Sequence, residues 1–346
     1  MINKVNLAVG FEAANGFVKT VSSTYEESYR NTYKEISNPE KQKDLIQKEL
    51  GKSVFLINGT YYQCGRIDGK SSSGDSIDRY SSFEYKIESL IAIFKHVQEL
   101  SRDPFVEVFA TTGVPASHFN ISSVLTDIRN NLQGEHEVNG RRFTIKHVDV
   151  SLQPMATFAT LIFNQDASHN VEAMNRLLGG QSRVLIIDGG FDSTDLVEIF
   201  AGNLEKTHKI NGMREVYKNI LERSYSVEEK LETLSLNEFQ VEDMMRKGDS
   251  LGAGRYIVNV KEIKEQEYRS KASEIMLETS KKGLKYELYD QIILTGGMML
   301  ALDNEMKAVF GEDPRVMFVE DSQMRNARGY LIKSKMHLLK VEGAVG

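Results

Sequence analysis

The sequence predicts an α/β protein made of two similar α/β domains, and three observations lead there. Strand-like apolar runs alternate with segments of helical spacing along the chain. Two stretches, Leu7–Val21 and Val184–Phe200, share one plan: an apolar strand, a turn carrying a carboxylate and glycine, then a second strand. A further glycine turn, Thr295-Gly296-Gly297, joins the apolar run Ile292–Leu294 to a helix over Met299–Phe310. The repeated plan is expected where two related domains each open with a β-hairpin that faces a shared cleft.

The elements follow in order. After the first hairpin, Val54–Ile57 and Thr60–Cys64 flank Asn58-Gly59, the strongest short hairpin signal. Ile87, Leu90, Ile91, Phe94 and Val97 recur at helical spacing, which predicts an amphipathic helix over Glu84–Leu100. Val106–Thr111 reads as a strand ending at Gly113-Val114-Pro115, and Ile121–Leu132 as a helix. Val148–Leu152 is another strand, closed by Gln153-Pro154, with a helix over Met155–Phe163 restarting behind the proline. In the second half, Val216–Glu222 and Ala272–Lys282 read as helices. The charged stretch Glu228–Lys247 reads as one or two solvated helices with no chemistry assigned.

Composition narrows the function. Apolar residues make up 40% and charged residues 27% of 346, the ordinary balance of a soluble protein. No apolar run approaches the ~20 residues that span a bilayer, and no signal-peptide core opens the chain. The single Cys64 rules out an intramolecular disulfide and reads as a small buried filler. A cytoplasmic location is therefore expected. A net charge of −6 disfavours nonspecific DNA binding by the chain itself.

The chemistry concentrates in the glycine turns. Asp188-Gly189-Gly190-Phe191-Asp192-Ser193-Thr194-Asp195 follows Val184–Ile187. Glycine lets backbone N–H groups converge on phosphate oxygens, Ser and Thr hydroxyls donate to them, and Asp orients hydrated magnesium. In Glu12-Ala13-Ala14-Asn15-Gly16-Phe17-Val18-Lys19 a carboxylate precedes a small-residue turn, and a lysine able to reach a phosphate stands seven positions later. At Thr295-Gly296-Gly297 a backbone can approach a base or ribose, and a helix start favours anions. Each turn alone also fits an ordinary hairpin or strand–helix joint.

Their order and separation resemble the actin-like ATPase superfamily, and within it the ParM-like plasmid-segregation proteins of Gram-positive plasmids. Asn15-Gly16-Phe17-Val18-Lys19 is similar to the family's first phosphate loop, and Ala110-Thr111-Thr112-Gly113-Val114-Pro115 to its ATG-P strand end. Leu152-Gln153-Pro154-Met155-Ala156-Thr157 resembles the segment with the water-orienting residue, and Asp321–Tyr330 the closing SQ…N-RG-Y signature. The likeness runs from about residue 5 to residue 335.

The resemblance implies an actin-like fold with a nucleotide cleft between a domain I (residues 1–164, the final helix 329–346 returning to it) and a domain II (165–328). Each would hold a five-stranded sheet, and an insertion near 24–80 would carry filament contacts. It implies that Glu12 and Asp188 hold magnesium through water, Asp188 also helping to polarise the attacking water, which Gln153 orients. An amide aligns water but is a poor base, so ATP or GTP hydrolysis should be slow. Ala14, Asn15, Gly16, Lys19, Gly190, Ser193 and Thr194 would surround the phosphates, Gly212 the ribose, and Gly296, Gly297 and Met298 the adenosine. Partners would be other copies in a filament and a DNA-binding adaptor, with plasmid DNA held only indirectly and no membrane. A small-molecule kinase, or a nucleotide-binding polymer with little turnover, are the alternatives.

Four positions depart from the family pattern: Glu12 for Asp, Ala14 and Met298 for Gly, and Asp192 for Gly. Together they predict weaker nucleotide binding or slower turnover than in typical relatives. Other chemistries find no footing. Gly51-Lys52-Ser53 and Gly69-Lys70-Ser71 lack the earlier glycine of a P-loop, those places holding Ile46 and Cys64. The seven histidines form no zinc motif, and no GxSxG is present.

Overall fold

The computed structural model describes residues 4–13, 16–65, 69, 76–101 and 105–343. The chain divides into two compact units, Met1–Val171 with Met324–Gly346, and Glu172–Gln323.

The first unit is built on β1 (Lys4–Ala13), β2 (Phe17–Val21), β3 (Glu26–Arg30), β4 (Tyr33–Glu35), β5 (Val54–Ile57), β6 (Thr60–Cys64), β7 (Phe105–Val114), β8 (Gly134–Val138) and β9 (Arg141–Leu152). They form one nine-stranded sheet in the order β3-β2-β1-β7-β9-β8-β5-β6-β4. β1, β7 and β9 run parallel at its centre. The resemblance implies a five-stranded sheet; here the sheet is extended by the expected β5–β6 hairpin with β4, joined to β8 through Ile57 and Val138. In the hairpin turn Asn58 and Gly59 take φ of 50° and 81°, the left-handed pair a tight two-residue turn requires.

Period-two alternation gives the sheet two faces. Val9 and Phe11 join the core with Ile87, Leu90, Ile91, Phe94 and Val97 of the helix Phe83–Val97, and with Val124, Ile128 and Leu132 of the helix Ser122–Leu132. Ala8 and Val21 pack with Ala327 and Leu331 of the final helix, Ser322–Val341. A Cβ on Gly10 would lie 2.2 Å from the Ala327 carbonyl oxygen, so glycine is what lets that helix lie directly on β1.

The second unit has five strands in one sheet: β10 (Arg183–Gly189), β11 (Ser193–Phe200) and β12 (Asn203–Asn211), with β15 (Gln291–Thr295) and β16 (Val316–Phe318). The order is β12-β11-β10-β15-β16, and a separate hairpin pairs β13 (Ser250–Ala253) with β14 (Tyr256–Asn259). β10–β11 repeats the plan of β1–β2: an antiparallel hairpin whose first strand runs parallel to a later one.

Three expectations for this unit shift. The helix expected over Ala272–Lys282 runs over Lys261–Lys281, its first half hidden from the sequence pattern by its charge and lack of an apolar stripe. The helix expected over Met299–Phe310 breaks at Leu302 into Met298–Ala301 and Asp303–Phe310. Glu228–Lys247 forms a 3-10 helix (Glu229–Leu234) and an α-helix (Glu238–Lys247), yet it is not simply solvated. Leu231, Val241 and Met245 are buried in the core.

Candidate functional site

The first turn joins β1 to β2, with Glu12 opposite Lys19 in register. Cross-strand neighbours meet on one face, and Lys19 Nζ donates to Glu12 Oε2 at 2.6 Å. Gln153 begins the helix Gln153–Ile162, directly after β9, with Pro154 in its first turn. Its Nε2 donates to Glu12 Oε1 at 2.9 Å. Residues 141 positions apart are thus joined through one buried carboxylate, 3% exposed. Because an ionised carboxylate only accepts, Gln153 must present its NH2 group to Glu12, which leaves the Gln153 carbonyl oxygen as the end that can accept a hydrogen bond from water.

Both Glu12 oxygens are therefore engaged by Lys19 and Gln153. Arg79 donates from Nη2 to the Ala13 carbonyl oxygen at 2.7 Å, and the Gly16 carbonyl accepts from Asn31 N–H at 3.1 Å, so the turn is fastened at both shoulders. Ala14 and Asn15 lie outside the described residues.

The second turn joins β10 to β11. Asp188 is buried at the end of β10 beside Thr295 of β15. Gly190 N–H donates to the Ser193 carbonyl at 2.8 Å, closing the turn. The carbonyls of Gly190, Phe191 and Asp192 accept from the N–H groups of Met213, Arg214 and Gly212, at 3.2, 2.7 and 3.0 Å. These bonds fix the turn against the start of the helix Arg214–Ser224. Gly212 is part of that contact, since a Cβ there would lie 2.5 Å from Ser193 N. It packs under the turn. Ser193 stays partly exposed. Thr194 is fully buried, its hydroxyl donating to the Asn211 carbonyl at 3.1 Å.

The third glycine turn touches the same place. Gly296 has φ of +92°, and a Cβ there would meet the Gly189 carbonyl oxygen at 2.3 Å and Asp188 Oδ1 at 2.5 Å. Only glycine fits beside that carboxylate. The Gly296 carbonyl accepts from the buried Ser322 hydroxyl at 2.9 Å. Above Gly297 there is room, with Arg246 Nη2 3.9 Å from a built Cβ. Met298 is buried, its Sδ 3.8 Å from Thr194 Oγ1 and its side chain filling the space a Cβ on Gly189 would need. The departure at Met298 therefore faces the core.

Sequence reasoning missed the partners of Phe191 and Asp192. Arg214 Nε lies 2.5 Å from Asp192 Oδ1 as an ion pair. The Arg214 guanidinium also sits over the Phe191 and Phe239 rings, 5.2 and 5.5 Å from their centroids. Phe191 stacks on Phe239 at 4.5 Å and 9°, with Tyr217 at 6.0 Å. The extra negative charge in the turn thus comes with its own cation. The only sequence signal was a lone aromatic, Phe239, in a charged stretch. Among the described residues no group of three or more His, Cys, Asp or Glu side chains is arranged to hold a metal ion. None of their helices is long and apolar enough to cross a membrane.

The arrangement, a twisted sheet opened by a β-hairpin in each unit, is the actin-like fold. The actin-like protein Alp7A superposes with a TM-score of 0.73 at 14% identity, covering 98% of each chain. A ParM from a 15-stranded filament of Clostridium botulinum gives 0.73 at 17%, over 96% of this chain and 99% of its own. Bacillus thuringiensis ParM with ATP gives 0.64 at 18%, over 97% and 100%. At such identities the likeness is one of fold. No protein-family model and no curated protein matches the sequence.

Proposed function

We propose that this chain is a nucleotide-dependent, filament-forming protein that moves or separates plasmid DNA, hydrolysing ATP or GTP slowly. The observation that carries the reading is the joining of Gln153 to Lys19 through Glu12, the residues to which the resemblance assigns water, phosphate and metal. The fold of a ParM filament subunit and of a ParM with ATP supports it.

In this reading the Asp188–Asp195 turn takes the phosphates, since three of its carbonyls are bonded to residues 212–214. Asp188, with no Cβ on Gly296 to crowd it, suits a hydrated magnesium ion that would offset phosphate charge while water and phosphate complete its ligands. Lys19 reaches a phosphate by exchanging Glu12 for it. The Gln153 carbonyl oxygen accepts a hydrogen bond from the attacking water and aligns it without abstracting a proton, which makes turnover slow. Assembly then runs head to tail through a heterologous interface that propagates, with residues 24–80 contributing contacts. DNA is held through a separate adaptor, and the protein works in the cytoplasm.

Pelleting and negative-stain microscopy with and without magnesium ATP or GTP test this directly. Nucleotide-dependent filaments with phosphate release over minutes are expected. Sugar-dependent ADP formation without pelleting would replace the reading by a small-molecule kinase.

A further inference from the structure

The sheet face under the final helix is unexpectedly polar. Strand pairing sets Phe109 of β7 beside His147 of β9, Thr111 beside Asp149, and Gly113 beside Ser151. On β1, Ala8 and Gly10 continue the first two rows. These side chains alternate onto one face, and two residues beyond Ser151 comes Gln153.

The final helix answers each row. His337 stacks on His147 with ring centroids 3.6 Å apart and planes 5° from parallel, beside Phe109 at 5.9 Å. Ser334 donates to the Val9 carbonyl and lies 2.8 Å from Thr111 Oγ1. Lys333, one turn before His337, donates from Nζ to Ser151 Oγ at 2.5 Å. The Ser151 hydroxyl in turn donates to the carbonyl of Leu152 at 3.2 Å, and Leu152 is bonded directly to Gln153. The helix continues onto the segment after Gln153: Thr157 Oγ1 lies 2.9 Å from Asn326 Oδ1, and Gly329 rests on the Ala156 backbone.

We infer that Lys333 is a positioning residue for Gln153, and that the His147–His337 stack makes this positioning sensitive to pH. The inference rests on the reading of Gln153 as the water-orienting residue. Lys333 is partly buried against the sheet with its ammonium on Ser151, a place an apolar side chain would fill at lower cost. Here the ammonium grips the strand end that delivers the Gln153 amide, where a shift of ~1 Å is enough to slow chemistry by orders of magnitude. Two imidazoles in face-to-face contact cannot both be cationic without repulsion, so the stack exists while at least one ring is neutral.

The charged groups around it are few. His147 faces His337 on the helix, Asp149 on its own strand and Arg129 on the helix Ser122–Leu132; Lys333 faces Asp149. Burial lowers His147 below its usual value, and the fields of His337 and Arg129 act in the same sense against Asp149. Burial likewise lowers Lys333 against Asp149. For a histidine with a lowered folded pKa the folded state prefers the neutral ring. The clamp is therefore intact above the ordinary histidine value and loosens as pH falls from there through the lowered one.

The test uses the full chain with Lys333→Met, Lys333→Arg and His337→Gln, each checked for folding by its melting curve. Affinity for a fluorescent ATP or GTP analogue and single-turnover phosphate release are measured from pH 5.5 to 8. Lys333→Met should bind within about threefold of the parent and release phosphate roughly tenfold more slowly, with Lys333→Arg recovering part of the rate. The parent's release should fall below about pH 6.5, and His337→Gln should flatten that acid limb. Parent-like release by folded Lys333→Met, or an acid limb unchanged in His337→Gln, overturns the inference while leaving the proposed function standing. Binding and release lost together, in step with the melting temperature, also overturn it. A parent that neither binds nor hydrolyses nucleotide removes the proposed function and this inference together.

Discussion

The two strand–turn–strand hairpins, β1–β2 and β10–β11, share a plan but manage their acids differently. In the first, Glu12 is neutralised by a side chain of its own hairpin, Lys19, and held from the other side by Gln153. In the second, the backbone of Gly296 closes on Asp188, and the later acid, Asp192, pairs with Arg214 from the start of the next helix. The first turn therefore holds its cation, Lys19, in a pair within the same hairpin. The second packs its carboxylate so closely against a neighbouring turn that only glycine fits there. Substitutions that erase either arrangement test how deep the difference runs.

The largest effect is expected at Gly296. Alanine there must hold φ near +92° with its Cβ 2.3 Å from a backbone oxygen, combining a strained conformation with a clash that no side-chain rotation relieves. Gly296→Ala should destabilise the fold by about 4 kcal/mol, whereas Gly297→Ala, with nothing nearer than 3.9 Å, should change stability by less than about 1 kcal/mol. Urea melts of the pair decide it. Equal losses would mean that Gly296 is not the point where β15 and β10 close on Asp188.

Next comes the first hairpin. Lys19 and Glu12 side chains are 12% and 4% exposed, so Lys19→Met leaves a carboxylate largely buried with one partner gone. A cost of about 3 kcal/mol is expected, mostly restored when Glu12→Gln is added, because the cost arises from the stranded charge and not from lost packing. If the double variant is as unstable as the single one, the pair is merely filling space.

How much of this was legible in the sequence follows the reach of the interactions. Asn58-Gly59 fixes its hairpin within two residues, and the strands on either side fall where alternation places them. Glu12 and Lys19 share a hairpin, so their pairing is local. Gln153 could be picked out only through the family resemblance of its segment, the proline behind it marking no more than the start of a helix. The nine-stranded breadth of the first sheet could not be seen, since the hairpin joins β8 through one residue pair 81 positions apart, Ile57 with Val138. Arg214 and Phe239 were hidden for the same reason. Nothing in a charged stretch says which aromatic will stack on a turn some 50 residues earlier, and Glu228–Lys247 reads as solvent-facing until Leu231, Val241 and Met245 are seen in the core.

The smallest expected effect is the most discriminating between the two hairpins. Asp192 stands where glycine is usual in the resembled family, which at first reading threatens phosphate binding. Its ion pair with Arg214 removes the objection, and with Arg214 42% exposed the pair contributes no more than about 1 kcal/mol to stability. Its effect on an anion near the turn is a separate matter. Asp192→Asn keeps the shape, unmasks Arg214 and should tighten nucleoside triphosphate binding several-fold. Arg214→Gln removes the cation of that pair and should weaken binding by a similar factor. The double variant should return close to the parent, and all three differences should shrink as salt is raised, since exposed charges are screened. Titrations of the four proteins at two ionic strengths check this. If Asp192→Asn weakens binding instead, the carboxylate is an anchor for the turn's conformation, and the second hairpin is held by its side chains just as the first is.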